Sequence, residues 1–141
     1  MKRILGTHLL AFEGVLQPGD GAKVEAAARV SVASGAKLME LTPAPLNTMP
    51  ADEMASALIA GGIHEAAFCR FFPGGDGAEL ACGNPLGDGA DFNTALETIE
   101  HDVQYILALR KGGIAIEHMT GPNAFVLGRK NLFSPGVTRV R

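Results

Sequence analysis

Segments of strand type alternate with segments of helix type along this chain, and the alternation constrains its fold more than any other feature. Apolar stretches of strand length lie at 4–12, 37–42, 63–72 and 114–119. Helical periodicity fills the intervals at 22–34, from Thr48 or Met49 to about 60, and from Phe92 or Asn93 to Lys111. Strands separated by helices pair in parallel through right-handed crossovers. The sequence therefore predicts an α/β domain with about four parallel strands and three helices.

Residues with strong backbone preferences mark the ends of these segments. Asp20 is predicted to be the N-cap of the first helix, and Gly35 to follow its last turn in a left-handed conformation. Pro43 and Pro45 end the second strand because proline donates no ladder hydrogen bond. Pro50 is predicted in the first turn of the second helix.

The alternation ends after the fourth strand, which is half of what a (β/α)8 barrel contains. A length of 141 residues suits one domain or a fragment of a larger one. We therefore expect half of a TIM barrel at 1–128, followed by a basic tail at 129–141. An open α/β sheet covered on one face by the tail and a truncated gene product are the alternatives.

Half a barrel leaves its first and fourth strands as edges. Neither edge carries the proline or dense lysine that protects natural edge strands from pairing. Pairing of strand one with strand four of a second copy, about a two-fold axis, closes eight strands. The sequence thus predicts a homo-oligomer, with a dimer favoured.

Charge and hydropathy restrict the other partners. The net charge is −3 and no dense run of lysine and arginine occurs, which argues against nucleic acid and anionic membrane as partners. No apolar run reaches the roughly 20 residues that cross a bilayer. We expect a cytoplasmic protein in which Cys69 and Cys82 are reduced thiols.

Four local phrases, in this order along residues 4–128, carry a family resemblance. They are GAKLMELT at 35–42, AFCRFFP at 67–73, ALETIE at 95–100 and TGPN at 120–123. The chain resembles the xylose-isomerase-like TIM-barrel superfamily, in particular sugar epimerases of the D-tagatose 3-epimerase type. The resemblance implies binding of a small sugar or polyol, with Glu40 and Cys69 at positions that line the family's pocket. The family's metal ligands and its two proton-transferring glutamates belong to later strands, beyond the four predicted here.

Ligands of barrels bind at the carboxyl ends of the strands, so polar residues there are the candidate site. Glu40 and His118 are the candidate catalytic residues. The candidate ligand-binding residues are His8, Cys69, Arg70, Glu117 and Thr120. A carboxylate inside an apolar strand needs a partner or a raised pKa. Glu40 is therefore a candidate proton acceptor, or else it pairs with a neighbouring side chain and orders the barrel interior.

The cofactor and the activity follow from the same residues. His8 and His118, with Glu40 or Glu117, could form a two-histidine, one-carboxylate set for a divalent metal. The alternative is a structural role, in which each histidine only forms hydrogen bonds with neighbouring groups in the barrel interior. The chain is accordingly interpreted as an isomerase-like or epimerase-like sugar-binding protein, the alternative being a non-catalytic half-barrel binding or assembly module.

Overall fold

A four-stranded parallel sheet and three helices make up the described part of the chain. The computed structural model describes residues 5–43, 46–69 and 92–120, with the side chains of 69, 92–96, 98 and 117–120 left out. The strands are β1 (Gly6–His8), β2 (Leu38–Leu41), β3 (Glu65–Cys69) and β4 (Ala115–Thr120). The helices are α1 (Gly21–Ala33), α2 (Ala51–Ala60) and α3 (Phe92–Lys111). The predicted α/β class, with four parallel strands and three helices, is confirmed.

The strands lie side by side in the order in which they occur along the chain, β1-β2-β3-β4. Sequential order with a helix in each connection is compatible with half of a (β/α)8 barrel. The predicted basic tail at 129–141 lies outside the described residues, as do 70–91 and 121–128 of the predicted half-barrel. Within those residues, no helix combines the length and the apolar character that a bilayer crossing needs.

The first strand is much shorter than its apolar run predicts. Pairing with β2 ends at His8, and the next three residues, Leu9–Ala11, form a 3₁₀ turn. The His8 side chain accepts a hydrogen bond from the Leu10 N–H and thereby caps this turn. Leu9 is buried in the core beyond the strand's end. Among the described residues of this apolar run only Leu9 is buried, whereas Leu5, Leu10 and Phe12 are exposed, so the run does not mark one continuous buried strand.

The helix starts confirm the predicted N-cap position of Asp20 and correct the predicted position of Pro50. Asp20 occupies the N-cap position of α1, but its side chain makes no capping hydrogen bond. Its carboxylate instead accepts the Gln17 N–H and pairs with Lys23 at 2.8 Å, and the hydrogen bond from Lys23 lowers the pKa of the Asp20 carboxyl. Pro50 is the N-cap of α2 and not a residue of its first turn. Gly35, with φ +88°, has the left-handed conformation that was predicted.

The two faces of the sheet differ in burial. One face packs on the helices and carries the buried side chains of Met39, Leu41, Ala66, Phe68 and Ile116. Alternation along the strands places three titratable residues on the opposite face, where they are partly exposed: His8, Glu40 and Glu65.

Small residues let neighbouring helices approach closely. A Cβ atom added at Gly61, which follows α2, would overlap the Ala28 side chain of α1. A Cβ atom added at Gly112, which follows α3, would lie 2.7 Å from the Ala55 Cβ of α2. Each helix therefore packs on its predecessor, and the helix layer follows the sheet in chain order.

The loops that leave β1 and β2 are joined beyond the ends of the strands. The Leu16 N–H donates to the Leu46 carbonyl at 2.8 Å, and the Thr48 N–H donates to the Leu16 carbonyl at 2.9 Å. This isolated parallel bridge extends the β1–β2 pairing past a break in both strands. It fixes the two loops next to the carboxyl edge of the sheet.

Candidate functional site

His8 and Glu40 lie side by side at the carboxyl ends of β1 and β2. They are direct register partners in the parallel ladder. The distance from His8 Nε2 to Glu40 Oε2 is 3.9 Å, and the two side chains are 27% and 33% exposed. An imidazole and a carboxylate are thus brought together on the face of the sheet that is opposite to the helices.

Backbone contacts determine how the His8 ring is oriented. The Leu10 N–H donates to His8 Nδ1 at 3.0 Å, so this nitrogen carries a lone pair. In the neutral ring the proton then sits on Nε2, the nitrogen nearer to Glu40. The pair consequently presents one N–H donor and one carboxylate acceptor to any molecule on this face.

The same row of the sheet continues across β3 and β4. Glu40 is the register partner of Ala67, and Ala67 is the register partner of His118. The ladder shifts by one residue between Ala66 and Ala67, which leaves Glu117 as the extra residue of β4. The backbone therefore places His118 in line with His8 and Glu40, with the small Ala67 between them.

The other predicted site residues are located less fully. Cys69 and Thr120 are register partners at the carboxyl ends of β3 and β4. Arg70 lies outside the described residues, as do the side chains of Cys69, Glu117, His118 and Thr120. Their roles in ligand binding or catalysis, and the metal set that combines His8 and His118 with Glu40 or Glu117, stay predictions. Where side chains are described, no three His, Cys, Asp or Glu groups converge closely enough to hold a metal.

A second polar cluster, which sequence reasoning missed, joins the β2–α2 loop to α3. Asn47 is 4% exposed; its Oδ1 accepts the Met49 N–H at 3.1 Å and its Nδ2 donates to the Tyr105 Oη at 3.2 Å. The Tyr105 hydroxyl donates to the Met49 carbonyl at 3.0 Å. Burial raises the pKa of Tyr105 to about 12.

This second cluster is closed to ligands in the described structure. The cavity beside it, which Phe68 and Asp102 also line, measures about 10 Å³. One water molecule needs about 10–15 Å³ by this measure, so a sugar does not fit. The Phe68 and Tyr105 rings both border this cavity, with their centroids 6.2 Å apart. We therefore assign the cluster to the packing of α3 on the β2–α2 loop.

Comparison of the chain with protein-family models, with curated proteins and with solved structures found no match.

Proposed function

We propose that this protein binds a small sugar or polyol at the carboxyl ends of its strands, within a barrel completed by self-association. The observation that carries the proposal is the His8–Glu40 pair. A site for a neutral, hydroxylated molecule needs polar groups that can donate and accept, held on a rigid element. Neighbouring strands hold this pair in register, on the face that a closed barrel would turn inward.

The spacing of the pair suits a hydroxyl group. A separation of 3.9 Å exceeds a hydrogen bond, but one oxygen atom can lie within hydrogen-bond distance of both groups. A hydroxyl can accept from His8 Nε2–H and donate to Glu40 at the same time. Sugars and polyols carry several such hydroxyl groups, so we favour them as ligands. Carboxylates and phosphates are disfavoured because the Glu40 carboxylate would repel their negative charge.

The same pair can serve isomerase chemistry. A carboxylate can remove a proton from the carbon beside a carbonyl, while an N–H donor stabilises the oxygen that becomes negative. Glu40 would take the first role and His8 the second, with His118 as the further candidate catalytic residue. The family resemblance supports this reaction class. Binding without turnover would instead favour the non-catalytic module.

Self-association is proposed from the strand order and from exposed apolar surface. In the described sheet β1 pairs with β2 alone and β4 with β3 alone, so both outer strands have a free side. On α3, Val103 and Leu107 are 39% and 50% exposed. They project away from Gly112, where α3 meets α2. Apolar surface at the end of a helix layer is typical of an interface, and we propose a second copy of this chain as the partner.

Binding is tested with a matched pair of carboxylate variants. Glu40→Gln and Glu65→Gln each remove one negative charge from the same face of the sheet, at opposite ends of the strands. We expect calorimetric titration with a panel of ketoses and polyols to identify a ligand whose affinity falls about tenfold in Glu40→Gln, equivalent to about 1.4 kcal/mol. Glu65→Gln should bind as the wild type does. Equal losses in both variants, or no ligand in the panel, would contradict the proposal.

Self-association is tested by multi-angle light scattering over a concentration series. We expect a mass of twice the 14.7 kDa of one chain, or a higher even multiple. A mass of one chain throughout the micromolar range would rule out a barrel made from two copies.

A further inference from the structure

We infer that His8 is held as a fixed Nε2–H donor, and that the His8–Glu40 site binds its ligand without a metal on His8. The inference deepens the proposed function and rests on it for the identity of the ligand. It is argued from the hydrogen bond at His8 Nδ1, which is a property of the free protein.

A histidine that binds a metal through one ring nitrogen uses the other as a donor. The metal takes the lone pair of the first nitrogen, so the second carries the proton and donates it to a carboxylate, a carbonyl or water. At His8 the second nitrogen would be Nδ1, which already receives the Leu10 N–H at 3.0 Å. With a metal on Nε2, the proton on Nδ1 would point at the Leu10 N–H, and neither of these two donors would have an acceptor.

Binding of a metal through Nδ1 meets a second obstacle. The Leu10 N–H occupies the lone pair of that atom, and it belongs to the 3₁₀ turn Leu9–Ala11 that follows β1. The turn is anchored because the Phe12 and Glu13 N–H groups both donate to the Leu9 carbonyl at 3.0 Å, and Leu9 is buried. Releasing Nδ1 would require this turn to open. The donor set at His8 thus does not fit the predicted two-histidine, one-carboxylate metal set, which needs His8 as a ligand.

The fixed tautomer defines the class of ligand more narrowly. His8 Nε2–H donates a hydrogen bond and needs an acceptor oxygen on the ligand. Glu40 Oε2, 3.9 Å away, accepts a hydrogen bond and needs a donor group on the ligand. A free hydroxyl meets both demands, whereas a methyl ether meets only the first. The site is therefore selective for a free alcohol and binds it directly.

Nuclear magnetic resonance of the ring nitrogens tests the tautomer in the full chain. The chain has four histidines, and the signals lost in His8→Asn assign those of His8. We expect the wild-type spectrum to show His8 protonated on Nε2 alone, and equimolar zinc chloride to leave these signals in place. A proton on Nδ1, or a selective zinc-induced shift at His8, would overturn the inference.

Binding experiments test the direct role of His8. Asparagine at position 8 retains an oxygen that can cap the turn but lacks Nε2–H, so His8→Asn separates the two tasks of the side chain. With the ligand found by calorimetry, we expect affinity to fall about tenfold in His8→Asn and to change less than twofold when the wild type is treated with a chelator. A loss of binding on chelation would overturn metal independence. If no sugar or polyol binds, the proposed function fails, and the tautomer measurement still decides whether His8 can accept a metal.

Discussion

Glu53 of α2 caps the first turn of α1 by accepting the Gly21 N–H at 3.0 Å. Its two carboxylate oxygens also accept the Gly19 N–H, at 3.0 and 3.1 Å. These bonds supply the cap that Asp20 does not form. The negative charge lies at the positive end of the α1 dipole, where it is stabilising. The start of α1 is thereby fixed by a residue more than 30 positions away in the chain.

Replacing Glu53 by alanine is expected to lower the free energy of unfolding by about 1–2 kcal/mol, since a helix cap and its charge are lost. Asp52→Ala is the matched control. Asp52 also lies in the first turn of α2 but makes no such bond to α1, so we expect a loss below about 0.7 kcal/mol. Urea unfolding followed by circular dichroism measures both. Equal losses would show that the contact with α1 contributes nothing.

Gly61 is expected to tolerate no side chain at all. An added Cβ would overlap the Ala28 methyl group and lie 2.9 Å from the Glu25 carbonyl oxygen, both on α1. Because backbone on one side cannot give way, Gly61→Ala should force α1 and α2 apart at a cost of about 1–3 kcal/mol or more.

The control for Gly61 is Gly14→Ala, since a Cβ at Gly14 meets nothing within 4 Å. We expect that variant to unfold within about 0.5 kcal/mol of the wild type. Thermal unfolding ranks the two substitutions, and a Gly61→Ala protein as stable as the control would contradict the observed helix approach.

Local signals account for the part of the fold that was predicted correctly. The α3 periodicity predicted a helix from Phe92 or Asn93 to Lys111, and the structure has Phe92–Lys111. Gly35 was predictable because only a residue without Cβ adopts φ +88° without strain. Burial of Leu9 in a turn was not predictable, because the hydrophobicity of a residue does not distinguish a buried turn position from a buried strand position.

The candidate site was predictable in composition but not in contacts. A histidine and a glutamate near the ends of two successive strands stand out in the sequence, and the register joins His8 to Glu40. The hydrogen bond that selects the His8 tautomer depends on where β1 ends, which the apolar pattern overestimated. The Asn47–Tyr105 bond spans 58 positions, and no periodicity encodes contacts at that range.

Asn47 is expected to be important for stability and not for ligand binding. Asn47→Ala would leave the Met49 N–H buried without its acceptor and would remove the bond to Tyr105. The expected loss is about 1–3 kcal/mol. Thr48 is an exposed residue whose hydroxyl donates to the Leu16 carbonyl at 3.1 Å in a part-buried hydrogen bond, and Thr48→Ala should lower the free energy of unfolding by less. Chemical unfolding of both variants compares a buried with a part-buried hydrogen bond in the same loop. A Thr48→Ala loss equal to the Asn47→Ala loss would refute the assigned role of the cluster.

Tyr105 is expected to ionise only in strongly alkaline solution. It is the single tyrosine of the chain, which has no tryptophan, so its absorbance reports one site. Burial, which raises the pKa to about 12, favours the neutral phenol. A pH jump followed by near-ultraviolet absorbance, recorded before the chain unfolds, should give a midpoint near 12, against about 10 in urea. A midpoint near 10 in the folded chain would show that the phenol is solvated.

The raised pKa of Tyr105 also fixes the sign of the alkaline stability change. The folded state holds the phenolic proton more tightly than the unfolded state, so the stabilisation from this group is complete below pH 10. It is lost as the pH rises from about 10 to about 12. Tyr105→Phe cannot ionise, and its free energy of unfolding should therefore fall less steeply across this window. Urea unfolding at closely spaced pH values compares the two proteins, and parallel curves would exclude Tyr105 as the group responsible.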